Sequence, residues 1–215
     1  MKKNNNPLQT INEYYQRFYT AESADEDPLL GWEDRESQTV RFSVLPAVTE
    51  LEGKKLLDIG CGTGMLYDYL LHIGIETEYT GVDIMKEAVQ TAAIRHPDVN
   101  FIHGDVFQDD LFKPGEFDIV FASGIFNLDL ENNMKFIRKG ICKMLELTSE
   151  TAVFNLLHTR STDKEPMYYY YTPEEVKDIP DHDAWDVIII DNYLKNDFSV
   201  VCNKKSVNKA KGRSA

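Results

Sequence analysis

The stretch that decides the fold is Leu56–Leu71, LLDIGCGTGMLYDYLL. It joins a continuous apolar run ending in an acid to three glycines at alternate positions, Gly60, Gly62 and Gly64, and then to a new apolar pattern. KKLLDIG reads as a strand buried on both faces. Beyond the glycines, Leu66, Leu70 and Ile73 recur at three- and four-residue spacing, the signature of one helical face. A strand, a glycine turn and a helix in that order open a parallel α/β unit, and the turn asks for a backbone that something else can approach closely.

The alternation continues downstream. EYTGVDI is a second strand, MKEAVQTAAIRHP a helix stopped near Pro97, and VNFIHGD and FDIVFASG a third and fourth strand. Met134, Ile137, Ile141, Met144 and Leu145 line a long amphipathic helix, followed by a fifth strand, TAVFNLL. Thr172, Pro173 and Glu175 form a helix-start signature. WDVIII and FSVVC are then joined by a link too short for a helical crossover, so they pair antiparallel. The expected fold is α/β, a doubly wound, mostly parallel seven-stranded sheet of Rossmann-like type ending in an antiparallel hairpin.

Residues 1–50 read as a helical cover on the same domain, residues 51–204 as the main domain, and residues 205–215 as a basic, disordered tail. In the cover, Thr10 and Glu13 suggest a capping box before YYQRFYT, and Pro46 is expected to kink or divide the helix marked by Val40, Val44, Val48 and Leu51. With 215 residues, 42% of them hydrophobic, the chain has enough apolar material for one well-buried core. A formal net charge of -13 disfavours a nucleic-acid partner. Cys61, Cys142 and Cys202 are far apart and show neither disulfide nor metal spacing, so no metal is expected. Lacking a signal-like apolar run or a membrane-length one, the chain is read as cytoplasmic, without a membrane partner, and as a monomer or homodimer.

The glycine spacing excludes two common nucleotide loops. A dinucleotide fingerprint needs a third glycine at the sixth position, where this chain has Met65 or Tyr67, and no Gly-Lys-Ser/Thr follows for a phosphate loop. The missing glycine also counts against a nicotinamide oxidoreductase. What remains, Asp58-x-Gly60-x-Gly62-x-Gly64 followed by Asp83 after TGV, Asp105 in HGDVF and the fourth-strand run FDIVFASG, resembles the class I S-adenosylmethionine-dependent methyltransferases. The resemblance covers roughly Leu51 to Lys204.

The resemblance implies a set of contacts. Asp58, with the loop Gly60, Cys61, Gly62 and Gly64, would face the amino-acid part of S-adenosylmethionine, its carboxylate suiting a cationic ammonium. Asp83 would accept hydrogen bonds from the ribose hydroxyls, Ile84 and Met85 would give the adenine an apolar face, and Asp105 with Val106 would meet the adenine edge. Ala122 and Ser123 would lie near the methionine portion. The implied reaction moves a methyl group to a small-molecule acceptor and leaves S-adenosylhomocysteine; a noncatalytic protein that senses either ligand is the alternative. SGIF stands where members acting on DNA or protein amides carry Asp/Asn-Pro-Pro-Tyr, which disfavours those substrates.

For the acceptor side, His158 is a candidate base or a surface histidine bonded to a loop, and Asn127 a candidate orienting group or a turn cap. Tyr168 and Tyr170 in MYYYY, with Tyr14, Tyr15, Tyr19 and Trp32 of the cover, are candidate pocket walls, or rings that hold the cover down. Arg35 and Arg41 are candidates to meet an acidic substrate or the cofactor carboxylate, with ordinary ion pairing the reading that so acidic a segment favours. The acceptor atom is not legible from the sequence.

Overall fold

The computed structural model describes residues 7–19 and 35–206. Trp32 and the tail beyond residue 206 lie outside the described residues, as does the Tyr19 side chain. In chain order the elements are α1 (Pro7–Gln16) with a 3-10 turn (Arg17–Tyr19), α2 (Arg35–Val48), β1 (Lys55–Ile59), α3 (Met65–His72), β2 (Glu78–Asp83), α4 (Lys86–Arg95) and β3 (Asn100–His103). They continue as β4 (Phe117–Ala122), α5 (Asn133–Leu147), β5 (Thr148–Leu157), α6 (Pro173–Val176), β6 (Trp185–Ile190) and β7 (Asp197–Lys204).

The seven strands form one sheet in the order β3-β2-β1-β4-β5-β7-β6. The first five run parallel, whereas β7 lies antiparallel between β5 and β6. The chain winds from β1 outward to β3, then returns to place β4 on the other side of β1. That reversal opens a crevice beyond the carboxyl ends of β1 and β4, where ligands of such sheets bind.

Both faces are covered, which explains the unbroken apolar strands. Leu57 and Ile59 on β1 share one core with Val120, Phe154 and the Ile137, Ile141 and Met144 stripe of α5. Leu56 points to the opposite face, as strand alternation requires, and packs with Ile119, Phe121, Leu66, Leu70 and with Phe42 and Leu45 of α2. Helix α2 is therefore part of the second core layer. Helix α1 belongs to a small separate cluster, Ile11 with Leu128 and Leu130, flanked by Tyr14, Tyr15 and Tyr168.

Three local expectations change. Helix α1 begins at Pro7, so Thr10 lies within the helix instead of capping it; a proline is well placed at a first helical position, where its missing N–H has no partner to lose. Pro46 does not divide α2, which runs through to Val48; so near the end, little helix remains beyond the proline to be redirected. The third strand stops at His103, two residues short of Asp105. The Thr172–Glu175 capping box is formed, with Thr172 N–H donating to Glu175 Oε2 at 2.7 Å, although the helix it starts has only four residues.

A cleft at the strand switch point

A cleft of about 1610 Å³ occupies the crevice. Its floor is the glycine turn after β1 and the ends of β2 and β4; its roof is α1 together with the strap running from Arg160 to Tyr170. Gly60 and Gly62 have φ values of 77° and 53°, a left-handed path that side chains disfavour. At Gly60 a Cβ would also run into the Ile125 side chain. The turn is thus held close to the loop after β4, and its backbone faces the cleft.

The acids are fixed by short hydrogen bonds. Asp83 Oδ2 accepts the Gly62 N–H at 2.9 Å and Oδ1 the Met85 N–H at 2.8 Å, so the end of β2 is tied to the glycine turn. Asp58 is 3% exposed, and its Oδ2 accepts the Tyr79 hydroxyl at 2.5 Å. Burial lifts the Asp58 carboxyl to about 7, the Tyr79 hydrogen bond draws it partly back, and the charge of Asp83 pushes it further up. Burial likewise raises Asp83, against the pull of the Met85 and Gly62 amides. The Cys61 thiol is raised by burial and by both acids. Asp105 Oδ1 accepts the Phe107 N–H at 2.9 Å, and burial raises this carboxyl too. Acid-capable groups thus crowd the floor, an arrangement that a cationic ligand relieves.

Beyond β4, Ser123 Oγ and Asn127 Oδ1 are buried without a hydrogen-bond partner, and both residues line the cleft. Orphaned polar atoms of this kind call for a reason, and a ligand or water in the cleft supplies one. Below them runs a buried polar network. Gly124 N–H donates to Asn155 Oδ1 at 2.9 Å, Asn155 Nδ2 reaches Asp197 Oδ2 at 3.1 Å, and Arg41 Nε donates to the same oxygen at 2.8 Å. Tyr193 donates its hydroxyl to Asp197 Oδ1. Arg41 is an ion-pairing residue, as its charge suggested, but its pair is buried and welds α2 to β5, β7 and the cleft wall.

Asp58, Gly60, Cys61, Gly62, Asp83, Ile84, Met85, Asp105, Val106, Ser123 and Asn127 all line the cleft, as do Tyr14, Tyr15, Tyr168 and Tyr170. Three nominated residues do not. Gly64 faces Phe101 and His96 instead. Ala122 is fully buried in the core, because alternation along β4 sends Ser123, one residue later, to the cleft. His158 is turned away: its ring packs on Phe198 at 5.2 Å, and Nδ1 accepts the Arg160 N–H at 3.1 Å. Burial and the nearby Arg160 charge lower its pKa. Of its two readings, the loop-bonded histidine is the one the geometry favours.

Tyr79 and Gly81 on β2 were missed. Tyr79 sits beside Asp58 only through strand pairing, and a Cβ on Gly81 would lie 2.9 Å from Cys61 Sγ, so that glycine makes room for the turn. Among the described residues no group of three or more His, Cys, Asp or Glu side chains is arranged to hold a metal ion, and no helix is long and apolar enough to cross a membrane.

Residues 56–146 match the family model described as a methyltransferase domain. Trans-aconitate 2-methyltransferase of Afipia carboxidovorans is 31% identical over 97 residues, 45% of this chain and 37% of that protein. Fatty-acid O-methyltransferase of Mycolicibacterium smegmatis is 33% identical over 104 residues, 45% of this chain and 38% of that protein. The match thus spans less than half of these curated relatives. In overall fold the chain is similar to magnesium protoporphyrin IX methyltransferase from Synechocystis PCC 6803, solved with bound S-adenosylmethionine, with a TM-score of 0.65 at 15% identity over 91% of this chain and 97% of that one.

Proposed function

We propose that the protein transfers a methyl group from S-adenosylmethionine to a small-molecule acceptor, a reading supported by the match of residues 56–146 to a methyltransferase domain. The observation that carries this reading is the acid-lined glycine turn: Asp58 and Asp83 line the cleft beside a backbone whose path a Cβ at Gly60 would obstruct. S-adenosylmethionine brings a sulfonium methyl that departs from a neutral thioether, so the protein need not activate the leaving group.

What the chain's own residues do is hold and orient. Asp58 suits the methionyl ammonium, and ionises fully once a cation lies beside it. Asp83 keeps spare lone pairs beyond its two amide contacts for ribose hydroxyls. Ile84 and Met85 offer the adenine an apolar face, with Asp105 and Val106 at its edge. Ser123 Oγ is available to the methionine portion, and Asn127 to the acceptor. Orientation and exclusion of water by the roof can supply on the order of 7–11 kcal/mol of the barrier reduction. The names of the relatives, acting on trans-aconitate and on fatty acids, support a small-molecule acceptor. We read the enzyme as a cytoplasmic monomer or homodimer.

A thermal-shift panel with S-adenosylmethionine, S-adenosylhomocysteine, NAD and NADP tests the reading. A ligand at about 100 times its dissociation constant adds roughly 2.7 kcal/mol of stability. Stabilisation by both sulfur ligands is expected; stabilisation by NAD without S-adenosylhomocysteine would overturn it.

A further inference from the structure

We propose that Asn155, seated on Asp197, is a positioning residue for methyl transfer: it fixes the peptide between Ser123 and Gly124 and so sets the cleft wall that faces the glycine turn. This rests on the methyl-transfer reading above and adds to it a residue that lies behind the cleft wall.

The first observation is where the sheet stops supporting that wall. Strand β4 pairs with β1 and with β5 only as far as Ala122, opposite Ile59 and Phe154. From Ser123 onward the chain has left the ladder that orients a strand's peptides. Gly124 follows with φ 80°, a left-handed conformation in which glycine leaves the backbone least constrained. The loop's own bond, from Asn127 N–H to Gly124 O, is long at 3.4 Å. Yet Ser123, Gly124 and Ile125 all line the cleft, and Ile125 is the side chain that a Cβ on Gly60 would strike.

The second observation is what replaces the ladder. Gly124 N–H donates to Asn155 Oδ1 at 2.9 Å. The other end of that amide is committed, because Asn155 Nδ2 lies 3.2 and 3.1 Å from Asp197 Oδ1 and Oδ2. An ionised carboxylate only accepts hydrogen bonds, and Asp197 also receives Arg41 Nε at 2.8 Å and the Tyr193 hydroxyl. The Asn155 amide therefore has one orientation, with its donors toward Asp197 and its oxygen toward Gly124. Asn155 and Asp197 are 2% and 0% exposed, and neither lines the cleft. At that depth an unpaired group is costly, so the network keeps its geometry.

The consequence reaches the ligand through the peptide plane. In a trans peptide the C=O and N–H point to opposite sides. With the Gly124 N–H held toward β5, the Ser123 carbonyl faces the other way, toward β1 and the glycine turn, because β4 lies between those strands. A carbonyl oxygen there suits a cationic ligand, and it stands at the end of a hydrogen-bond chain that starts on a carboxylate and polarises along its length. Turned over, the same peptide would present an N–H to that cation.

Calorimetry of S-adenosylhomocysteine with the full chain tests the assignment. Asn155→Leu, similar in volume, should weaken affinity at least tenfold. Thr151→Val is the control for loosening of the sheet: it lies on β5 too and removes the Thr151 Oγ1 bond to Asn203 Oδ1 of β7 at 2.9 Å. It should lower the denaturation midpoint and leave affinity within twofold. The exchange Asn155→Asp/Asp197→Asn restores an acceptor oxygen beneath Gly124 and a donor at position 197, and should bring affinity back to within threefold of the unaltered protein. Undiminished affinity in Asn155→Leu, an equal loss in Thr151→Val, or a folded exchange variant that binds no better than Asn155→Leu would overturn the proposal. Hydrogen exchange in the unaltered protein gives a readout that needs no variant. The Gly124 amide should exchange at least a hundredfold more slowly than an unprotected amide, and exchange at the unprotected rate would overturn the tether. Failure of the unaltered protein to bind S-adenosylhomocysteine would instead overturn the methyl-transfer reading on which the proposal rests.

Discussion

The floor and the roof of the cleft are built by different means. The floor consists of strand ends and the turn after β1, each locked by backbone hydrogen bonds from a neighbouring strand, such as Gly60 N–H and Cys61 N–H to Val82 O. The roof consists of α1 and the strap, joined by side chains: the Tyr14–Tyr168 pair, the Arg17–Met167 contact and a small cluster around Ile11. A backbone-built floor suits a ligand that is always the same, and a side-chain-built roof can be changed residue by residue to suit a particular acceptor. The two should respond differently to substitution.

The largest expected effect on ligand affinity is at the floor. Gly60→Val puts a β-branched side chain at φ 77° and against Ile125; overpacking alone costs about 1–3 kcal/mol. S-adenosylhomocysteine affinity should fall roughly a hundredfold or more, an effect of about 3 kcal/mol. Binding within threefold of the unaltered protein would show that the turn is not the ligand contact.

Next comes the network beneath both regions. Arg41→Met leaves Asp197, fully buried, without its cation. Breaking a buried pair from one side costs about 3–5 kcal/mol, so chemical denaturation should show a loss of that order. A loss below about 1 kcal/mol would show that Asn155 and Tyr193 suffice.

The third effect is a pH dependence specific to the floor. The Asp58 carboxyl is raised to about 7 in the protein without ligand, above its unfolded value. Ionising it therefore opposes folding: the contribution to stability is fully present below about 4 and is lost as pH rises through about 7. A bound cation reverses the preference, so S-adenosylhomocysteine affinity, with its ammonium, should rise between pH 6 and 8. Asp58→Asn should flatten that rise in a calorimetric pH series. An unchanged slope in the variant would assign the proton elsewhere.

The smallest effect separates the roof. Tyr168→Phe removes the hydroxyl bonded to Tyr14, and such a hydrogen bond is worth about 0.5–1.5 kcal/mol. Acceptor KM should rise several-fold, with S-adenosylhomocysteine affinity unchanged. A larger loss in that affinity than in KM would place Tyr168 with the floor.

The same contrast explains what could be read from the chain. Gly60, Gly62, Asp83 and Asp105 are legible because each answers a local backbone demand: a left-handed turn, a strand end, an amide two residues on. The sheet, including its closing hairpin, follows from apolar runs and link lengths. Contacts made across sequence distance were not legible. Tyr79 meets Asp58 only because β2 pairs with β1, and Arg41 meets Asp197 from the far end of the chain. Ala122 and Ser123 are neighbours, yet the pleat sends one into the core and the other to the cleft. The position of His158 in sequence was sound, but its ring is captured by Phe198 and the Arg160 amide. Without a partner visible in sequence, its orientation was undetermined.

The central claim is that the turn after β1 and Asp83 together hold S-adenosylmethionine. Titration calorimetry of S-adenosylhomocysteine into the full chain and into Asp83→Ala tests it most directly. One bound ligand per chain is predicted for the unaltered protein. At least a tenfold weaker affinity is predicted for the variant, with its cooperative unfolding transition retained. No binding to the unaltered protein, or equal affinity in a folded Asp83→Ala, would contradict the account.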